Sequence, residues 1–212
     1  MLRTTESVPA LVLIDFQQGF DDLPYWGGER NNPAAEANAA RLLAYWREHQ
    51  FPVFHIQHSS TNPASRLAPG QPGHAFKAEV TPRPDEVIIQ KQVNSALLGT
   101  DLQQQLDERQ LSTLVFAGLT TDHCVSTSVR MAGNLGFNTF LVADACATFS
   151  KRGVQGEVFS AELIHQTALA SLQHEFATIL TTTEALQDLE AAPPATRFSP
   201  SATGAAAAQR TL

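Results

Sequence analysis

The chain has 212 residues, 43% of them hydrophobic, which is enough to bury one sizeable core without requiring a second domain. Its 21 acidic and 14 basic residues give a formal net charge of -7, which disfavours nucleic acid or an anionic membrane as a partner and favours a small molecule. No signal peptide or membrane span is apparent, and two cysteines are too few for a disulfide framework, so we expect a cytoplasmic protein with free thiols.

Apolar segments of strand length recur along the chain. They are nearly continuous rather than alternating, as expected for strands of a parallel sheet that is covered on both faces. The predicted strands span residues 9–14, 52–57, 86–90, 112–118, 138–143 and 176–180.

Helical patterns separate the predicted strands. Asn32 and Pro33 are predicted to be the N-cap and the first residue of a helix. Its apolar face recurs at the spacing i, i+3, i+4 and i+7, through Ala39, Leu42, Leu43 and Trp46. Further helices are predicted over residues 101–109, from about Asp122, and over residues 156–174, the last with an apolar stripe of Phe159, Leu163, Ile164, Ala168 and Leu172. Strands that alternate with helices predict a three-layer α/β/α domain.

Two segments depart from this alternation. Residues 59–85 are rich in Pro and Gly, and a connection of this length is typical of a lid, a binding loop or an oligomer contact. Residues 191–212 are rich in Ala and Pro and poor in large apolar side chains, which predicts a flexible C-terminal tail with no assigned function. A single domain is therefore expected over residues 8–190.

Three chemically complementary residues follow predicted strands. Asp15 follows the first strand, Lys91 the third, and Cys124 the fourth through a short polar segment. Singly, each has a structural explanation: the Asp as a turn residue, the Lys as a solvated strand end, and the Cys as a packing residue. Because ligands of open parallel α/β sheets bind beyond the carboxyl ends of the strands, their coincidence favours a catalytic site.

Cys124 is the predicted nucleophile of this site. Thr121 or Asp122 can cap the following helix, so that the helix macrodipole and the ammonium of Lys91 lower the pKa of the thiol. Asp15 can take the thiol proton and later deliver it to a leaving group.

Other residues near Cys124 have predicted roles as well. Backbone N–H groups around Thr120 to Cys124 are predicted to face the place where negative charge develops on an attacked carbonyl, as an oxyanion hole requires. Adjacent helical residues point about 100° apart, so His123 is not expected to act as a base for its neighbour. Cys146 is expected to be a packing residue.

The motifs around these residues resemble those of the isochorismatase-like cysteine hydrolases. LVLIDFQQGF, VIIQKQVNSAL and AGLTTDHCVSTSVRMAGNLGF, followed by VADACATF, carry the resemblance, which covers residues 8–180 in order. It implies a Rossmann-like fold with a six-stranded parallel sheet flanked by helices, and a homo-oligomer that is a dimer or larger.

The same resemblance implies roles for individual residues. Asp15, Lys91 and Cys124 match the catalytic triad of the family. The family commonly carries a non-proline cis peptide just upstream of the Cys, which here is the bond between Leu119 and Thr120.

Departures from the patterns of subfamilies bear on metal binding. Nicotinamidases carry a D-x-H pattern with further metal-binding histidines, whereas this chain has HIQHSS. His55 and His58 are three residues apart on a predicted strand and so project to opposite faces. We therefore expect no metal and no other cofactor, with His55 a satisfied core residue.

Five residues are predicted to contact a substrate, because they lie on strand-end loops that can reach one cleft, although ordinary loop packing explains each equally well. These residues are Phe20, Trp26, His58, Asn94 and Phe149.

Cys124 decides between the activities that the resemblance allows. A thiol nucleophile has a use with a carbonyl carbon but not in ether cleavage. The sequence therefore predicts an amidohydrolase that cleaves the C–N bond of a small amide, lactam or ureide through a thioester. The alternatives are an isochorismatase-type vinyl-ether hydrolase that uses Asp15 without covalent catalysis, and a non-catalytic binding protein on the same fold.

Overall fold

The computed structural model describes Leu2 and residues 7–191, so the predicted tail lies outside the described residues from residue 192 onward. Its strands are β1 (Ala10–Ile14), β2 (Val53–His58), β3 (Val87–Lys91), β4 (Thr113–Leu119), β5 (Asn138–Ala147), β6 (Lys151–Arg152), β7 (Val158–Phe159) and β8 (Thr178–Leu180). Its helices are α1 (Leu23–Trp26), α2 (Ala35–Glu48), α3 (Leu102–Glu108), α4 (Ser126–Asn134), α5 (Ala161–Leu172) and α6 (Thr182–Ala191).

One parallel sheet of six strands forms the centre of the domain, in the order β3-β2-β1-β4-β5-β8. All six predicted strands are present. The strand order reverses between β1 and β4, which lie side by side, and a crevice forms at such a point beyond the carboxyl ends of the strands. β6 and β7 form a separate antiparallel hairpin.

Helices cover both faces of the sheet, which confirms the three-layer α/β/α fold. On one face, α2 and α6 pack through Leu43, Trp46 and Leu189. On the other, α3, α4 and α5 pack against a second apolar cluster that includes Leu106 and Val129. Among the described residues, no helix has the length and apolar character needed to cross a bilayer.

Gly118 allows β1 and β4 to approach closely just before the ends of both strands. Its φ is 153°, and a Cβ at this position would lie 2.2 Å from the backbone oxygen of Ile14. Only a residue without a side chain fits there, because a Cβ would overlap the neighbouring strand. The close approach brings Asp15, which follows β1, next to the segment that follows β4.

The predicted start of α2 is wrong by two residues. The helix begins at Ala35, and Asn32 has a φ of 43° and does not cap it. The Asn32 amide instead donates hydrogen bonds to the carbonyl oxygens of Ala143 (3.1 Å) and Cys146 (2.7 Å). A bond to another segment of the chain therefore replaces the expected local cap.

The predicted start and apolar face of the 156–174 helix are also wrong. The segment before α5 forms the hairpin, and α5 begins at Ala161, where the Ser160 side chain accepts a hydrogen bond from the Leu163 N–H. Leu163 is 48% exposed, whereas His165 and Leu172 are buried. The buried face of the helix is set by the polar contacts of His165 as well as by apolar side chains.

The long connection over residues 59–85 is ordered by polar contacts with the segment after β1. Gln17 is fully buried, and its side-chain amide donates to the carbonyl oxygens of His58 (3.1 Å) and His74 (2.9 Å). Leu67 of this connection is buried and faces the cavity described below. Of the three roles that the sequence left open for it, this placement fits a binding loop.

Candidate active site

Asp15, Lys91 and Cys124 lie together at the carboxyl edge of the sheet. Their residue exposures are 0%, 2% and 9%. The Lys91 ammonium donates a hydrogen bond to Asp15 Oδ2 at 2.7 Å. An oxygen of Asp15, a ring nitrogen of His58 and Cys124 Sγ all lie within 4.8 Å of one another. An acid, an amine and a thiol from three distant parts of the chain therefore share one site.

Asp15 has one carboxylate oxygen bound and one oxygen without a hydrogen-bond partner. Oδ2 accepts from Lys91, whereas Oδ1 is buried and has no partner among the described residues. The backbone of Asp15 has a φ of 53°, a left-handed conformation that Asp adopts more readily than most residues. A buried carboxylate oxygen without a partner is costly. Cys124 Sγ lies within 4.8 Å of one of the two Asp15 oxygens.

His58 lies at the end of β2, directly opposite Lys91 in the strand register. The Lys91 ammonium is 3.2 Å from His58 Nδ1. Since an ammonium can only donate, Nδ1 accepts, and the ring proton is on Nε2. Burial and the charge of Lys91 lower the pKa of His58 below its ordinary value, against the opposing effect of Asp15, so the ring is neutral.

The thiol of Cys124 is protonated in the free site, contrary to the expectation of a lowered pKa. Burial and the negative charge of Asp15 raise its pKa, and they outweigh the opposing charge of Lys91. The thiol also contacts Asn94 Oδ1 at 3.8 Å. A neutral thiol beside a carboxylate is therefore the resting state of the site.

The predicted side-chain cap beside Cys124 is absent among the described residues. Cys124 lies in a π-helical turn, Thr121–Val125, that leads into α4, and this turn has no side-chain cap. Thr121 Oγ1 is instead 2.8 Å from His165 Nδ1, and Asp122 binds Thr148 and Lys151. Bonds to Thr148 after β5, to the hairpin and to α5 fix the turn, so neither the Thr121 hydroxyl nor the Asp122 carboxylate is left to cap it.

The peptide bond between Leu119 and Thr120 is cis, as the resemblance implied. Thr120 and Cys124, which follow this bond, both line the cavity described below.

The remaining polar candidates fall outside the triad. His123 is 2.9 Å from Lys151 Nζ through its Nε2 and has an exposed side chain. Cys146 is fully buried. Burial and the charge of Lys151 lower the pKa of His123, so this ring is neutral despite the nearby Asp122.

His55 lies on the other side of β2 and away from the cavity, as its spacing from His58 predicted. Its Nε2 is 2.8 Å from Glu86 Oε2, and Glu86 also accepts hydrogen bonds from Arg47 at 2.6 and 2.8 Å. Burial raises the pKa of Glu86, but the bonds from Arg47 and His55 outweigh it and lower the pKa to about 2.

A cavity of about 370 Å³ opens onto Cys124. All five predicted substrate contacts line it: Phe20, Trp26, His58, Asn94 and Phe149. The three aromatic rings form one contiguous group, with centroids 4.6 to 6.1 Å apart and interplanar angles of 15° to 32°. The cavity thus has an aromatic part, and a polar part around the thiol.

Sequence reasoning missed four lining residues, which are Tyr25, Leu67, His123 as a wall residue, and Lys151. Tyr25 and Leu67 lie in a short helix and in an irregular loop, where no periodic pattern predicts the direction of a side chain. Lys151 follows Phe149, a predicted substrate contact, by two residues, and this closeness in the sequence could have identified it as a lining residue.

Comparison with known proteins assigns this chain to a family. A family model for the isochorismatase domain matches residues 9–184. The isochorismatase family protein YrdC of Bacillus subtilis is 46% identical over 183 residues, which cover 86% of this chain and 97% of that protein.

Two further relatives agree with this placement. A crystal structure from the isochorismatase family of Chromobacterium violaceum is 45% identical, has a TM-score of 0.84, and matches over 88% of this chain and 95% of that chain. Maleamate amidohydrolase of Pseudomonas putida is 30% identical over 198 residues, which cover 85% of this chain and 86% of that enzyme. The chain belongs to the isochorismatase family of hydrolases.

Proposed function

We propose that the protein is a cysteine amidohydrolase that cleaves the C–N bond of a small amide, lactam or ureide through a thioester on Cys124. The observation that carries the proposal is a buried thiol within 4.8 Å of an oxygen of a buried carboxylate that also accepts a hydrogen bond from an ammonium. The relationship to maleamate amidohydrolase supports an amide as the substrate.

Acylation begins from the neutral thiol. Asp15 Oδ1 takes the proton from Cys124 Sγ while the sulfur attacks the carbonyl carbon of the amide, so the thiolate forms only as the C–S bond forms. Asp15 then delivers this proton to the departing nitrogen as the C–N bond breaks. Lys91 holds Oδ2 at 2.7 Å and keeps Oδ1 directed at the proton path.

The developing negative charge on the carbonyl oxygen requires hydrogen-bond donors. We assign this role to the backbone N–H groups of Thr120 and Cys124, which belong to the turn that lines the cavity. Each such donor contributes about 3 to 4 kcal/mol to transition-state stabilisation in well-studied acyl transfer.

Deacylation reverses the proton transfers. Water enters the place that the amine has left, Asp15 takes its proton, and the hydroxyl attacks the thioester carbon. The C–S bond then breaks, and the proton returns from Asp15 to Cys124. An amide gives a carboxylic acid and ammonia or an amine, a lactam gives an amino acid, and a ureide gives a carbamic acid and ammonia or an amine. The thiol and carboxylate regain their resting protonation.

The test is hydrolysis of a panel of small amides, lactams and ureides by wild-type protein, C124A and C146A. We expect the wild type and C146A to release amine, C124A to release none, and rapid-quench mass spectrometry to find an acyl adduct on Cys124. Equal turnover by C124A would refute covalent catalysis and favour a mechanism that uses Asp15 alone. Folded wild-type protein that turns over no member of the panel would favour a non-catalytic role.

A further inference from the structure

We propose that the substrate carries a carboxylate distant from the scissile amide, and that Lys151 binds this carboxylate. This inference rests on the proposed function, since it names the class of amide that the same cavity accepts. Lys151 is the only charged side chain among the described residues that line the cavity, and no carboxylate lines it there. The cavity therefore offers one positive group to a ligand.

The ammonium of Lys151 is held in place at the cavity. It donates to Asp122 Oδ2 and lies 2.9 Å from Nε2 of His123. Asp122 is itself fixed by the Thr148 hydroxyl, which donates to Oδ1 at 2.5 Å. Since an ammonium has three N–H donors and these two partners use two of them, the third is left for a ligand.

Asp122 reduces the long-range field of Lys151 but does not block this donor. Asp122 is not among the residues that line the cavity, so a ligand meets the ammonium rather than its counter-ion. A charge-assisted hydrogen bond acts at contact distance and is about twice as strong as a neutral one. The preference for a carboxylate is therefore short-range and should depend only weakly on salt concentration.

The aromatic part of the cavity defines the rest of the ligand. Phe20, Trp26 and Phe149 form a contiguous apolar group, with ring centroids within 6.1 Å of one another. An apolar or flat spacer between the amide and the carboxylate suits this group. The substrate class is thus the half-amide of a small dicarboxylic acid, in a cavity of about 370 Å³.

The experiment compares matched pairs of amides that differ in charge. The anionic members are malonamate, succinamate, glutaramate and 3-carbamoylbenzoate, and the neutral members are the four corresponding diamides. For the pair of best-fitting length, we expect wild-type kcat/KM to be about ten- to a hundredfold higher for the anionic member, as a charge-assisted contact provides. The variant K151Q should bring the two members of this pair to within about threefold of each other.

R152Q is the matched control. Arg152 is the next residue on the same strand, and its guanidinium donates to the Gly156 carbonyl oxygen at 2.9 Å outside the cavity. The variant removes the same unit of charge but should keep the preference for the anionic member. Neutral-amide turnover by K151Q reports whether the triad is intact, and thermal melting reports whether the variant is folded.

Equilibrium binding separates this inference from the proposed function. Calorimetry with C124A, and with C124A/K151Q, measures affinity without turnover. If the wild type hydrolyses amides without preferring the anionic member, or if K151Q keeps that preference, Lys151 does not bind the substrate carboxylate. Either result would leave the proposed hydrolase activity standing. Binding of a half-amide that depends on Lys151, with no turnover by the wild type, would support the carboxylate site and refute the hydrolase. Absence of both binding and turnover for every half-amide overturns the inference.

Discussion

Replacing Asp15 by Asn should abolish turnover and yet make Cys124 more reactive toward iodoacetamide. The two effects have opposite signs because Asp15 accepts the thiol proton in the proposed mechanism, whereas its negative charge opposes formation of the free thiolate. Its negative charge is one of the two causes that raise the pKa of Cys124, together with burial. In the variant, the positive charge of Lys91 acts on the thiol without compensation.

The structure sets the size of the effect. An oxygen of Asp15 and Cys124 Sγ are no more than 4.8 Å apart. With an effective dielectric constant of about 20, two unit charges at this distance interact by about 3.5 kcal/mol, or about 2.5 pKa units. The thiolate fraction at neutral pH then rises about 300-fold, but a less basic thiolate is a weaker nucleophile, so the alkylation rate should rise about twentyfold.

The assay is alkylation by iodoacetamide at pH 7.5, followed by intact-protein mass spectrometry with site assignment. C124A is the control for labelling at Cys146, which is fully buried and should stay unlabelled. The double variant D15N/K91M removes both charges and should label more slowly than D15N. A folded D15N protein that is alkylated no faster than the wild type would contradict the proposed balance of charges.

Two further predictions concern stability, each measured by urea unfolding beside a matched control. G118A should lose more than about 2 kcal/mol, because its Cβ would lie 2.2 Å from the Ile14 oxygen, whereas G28A shares a positive φ but has no atom within 4 Å and should lose less. E86Q should cost about 1 to 3 kcal/mol at pH 7. Because the folded pKa of Glu86 is depressed to about 2, this difference should be present above pH 4.5 and disappear as the pH falls toward 2. The control variant E175Q changes an exposed residue and should cost less than E86Q at pH 7. An E86Q penalty that persists at pH 2, or equal losses in the two Gly variants, would contradict this reasoning.

The sheet and the triad were predictable because both follow from the chain's strongest local signal. Buried parallel strands are recognisable in the sequence as continuous apolar segments. The carboxyl ends of these segments locate the edge of the sheet where ligands bind. Asp15, Lys91 and Cys124 could therefore be placed at one edge without knowing the strand order. The strand order explains the contact that was not foreseen. Because β2 lies between β3 and β1, His58 at the end of β2 comes within 3.2 Å of Lys91.

The failed predictions concern bonds between segments that are far apart in the chain. Asn32 and Thr121 are both of residue types that commonly cap helices. The side chain of each bonds a distant group instead and leaves its helix uncapped. His165 is buried by its contact with Thr121, which overrides the apolar stripe predicted for its helix. The pKa of Cys124 was mispredicted for the same reason: a helix start is visible in the sequence, whereas burial and the closeness of Asp15 are not.

The burial of Asp15 and Lys91 predicts that their ion pair adds little or nothing to the stability of the fold. Asp15 and Lys91 form an ion pair whose side chains are both 0% exposed, and the desolvation of such a pair commonly exceeds its electrostatic gain. Removing one partner leaves a buried charge and should cost about 3 to 5 kcal/mol, as in D15L or K91M alone. The double variant D15L/K91M has neither charge and should unfold at a urea concentration equal to or above that of the wild type, without turnover. Single variants as stable as the wild type would contradict the predicted cost of an unpaired buried charge. A double variant that loses as much stability as the two single variants combined would show that the pair stabilises the fold.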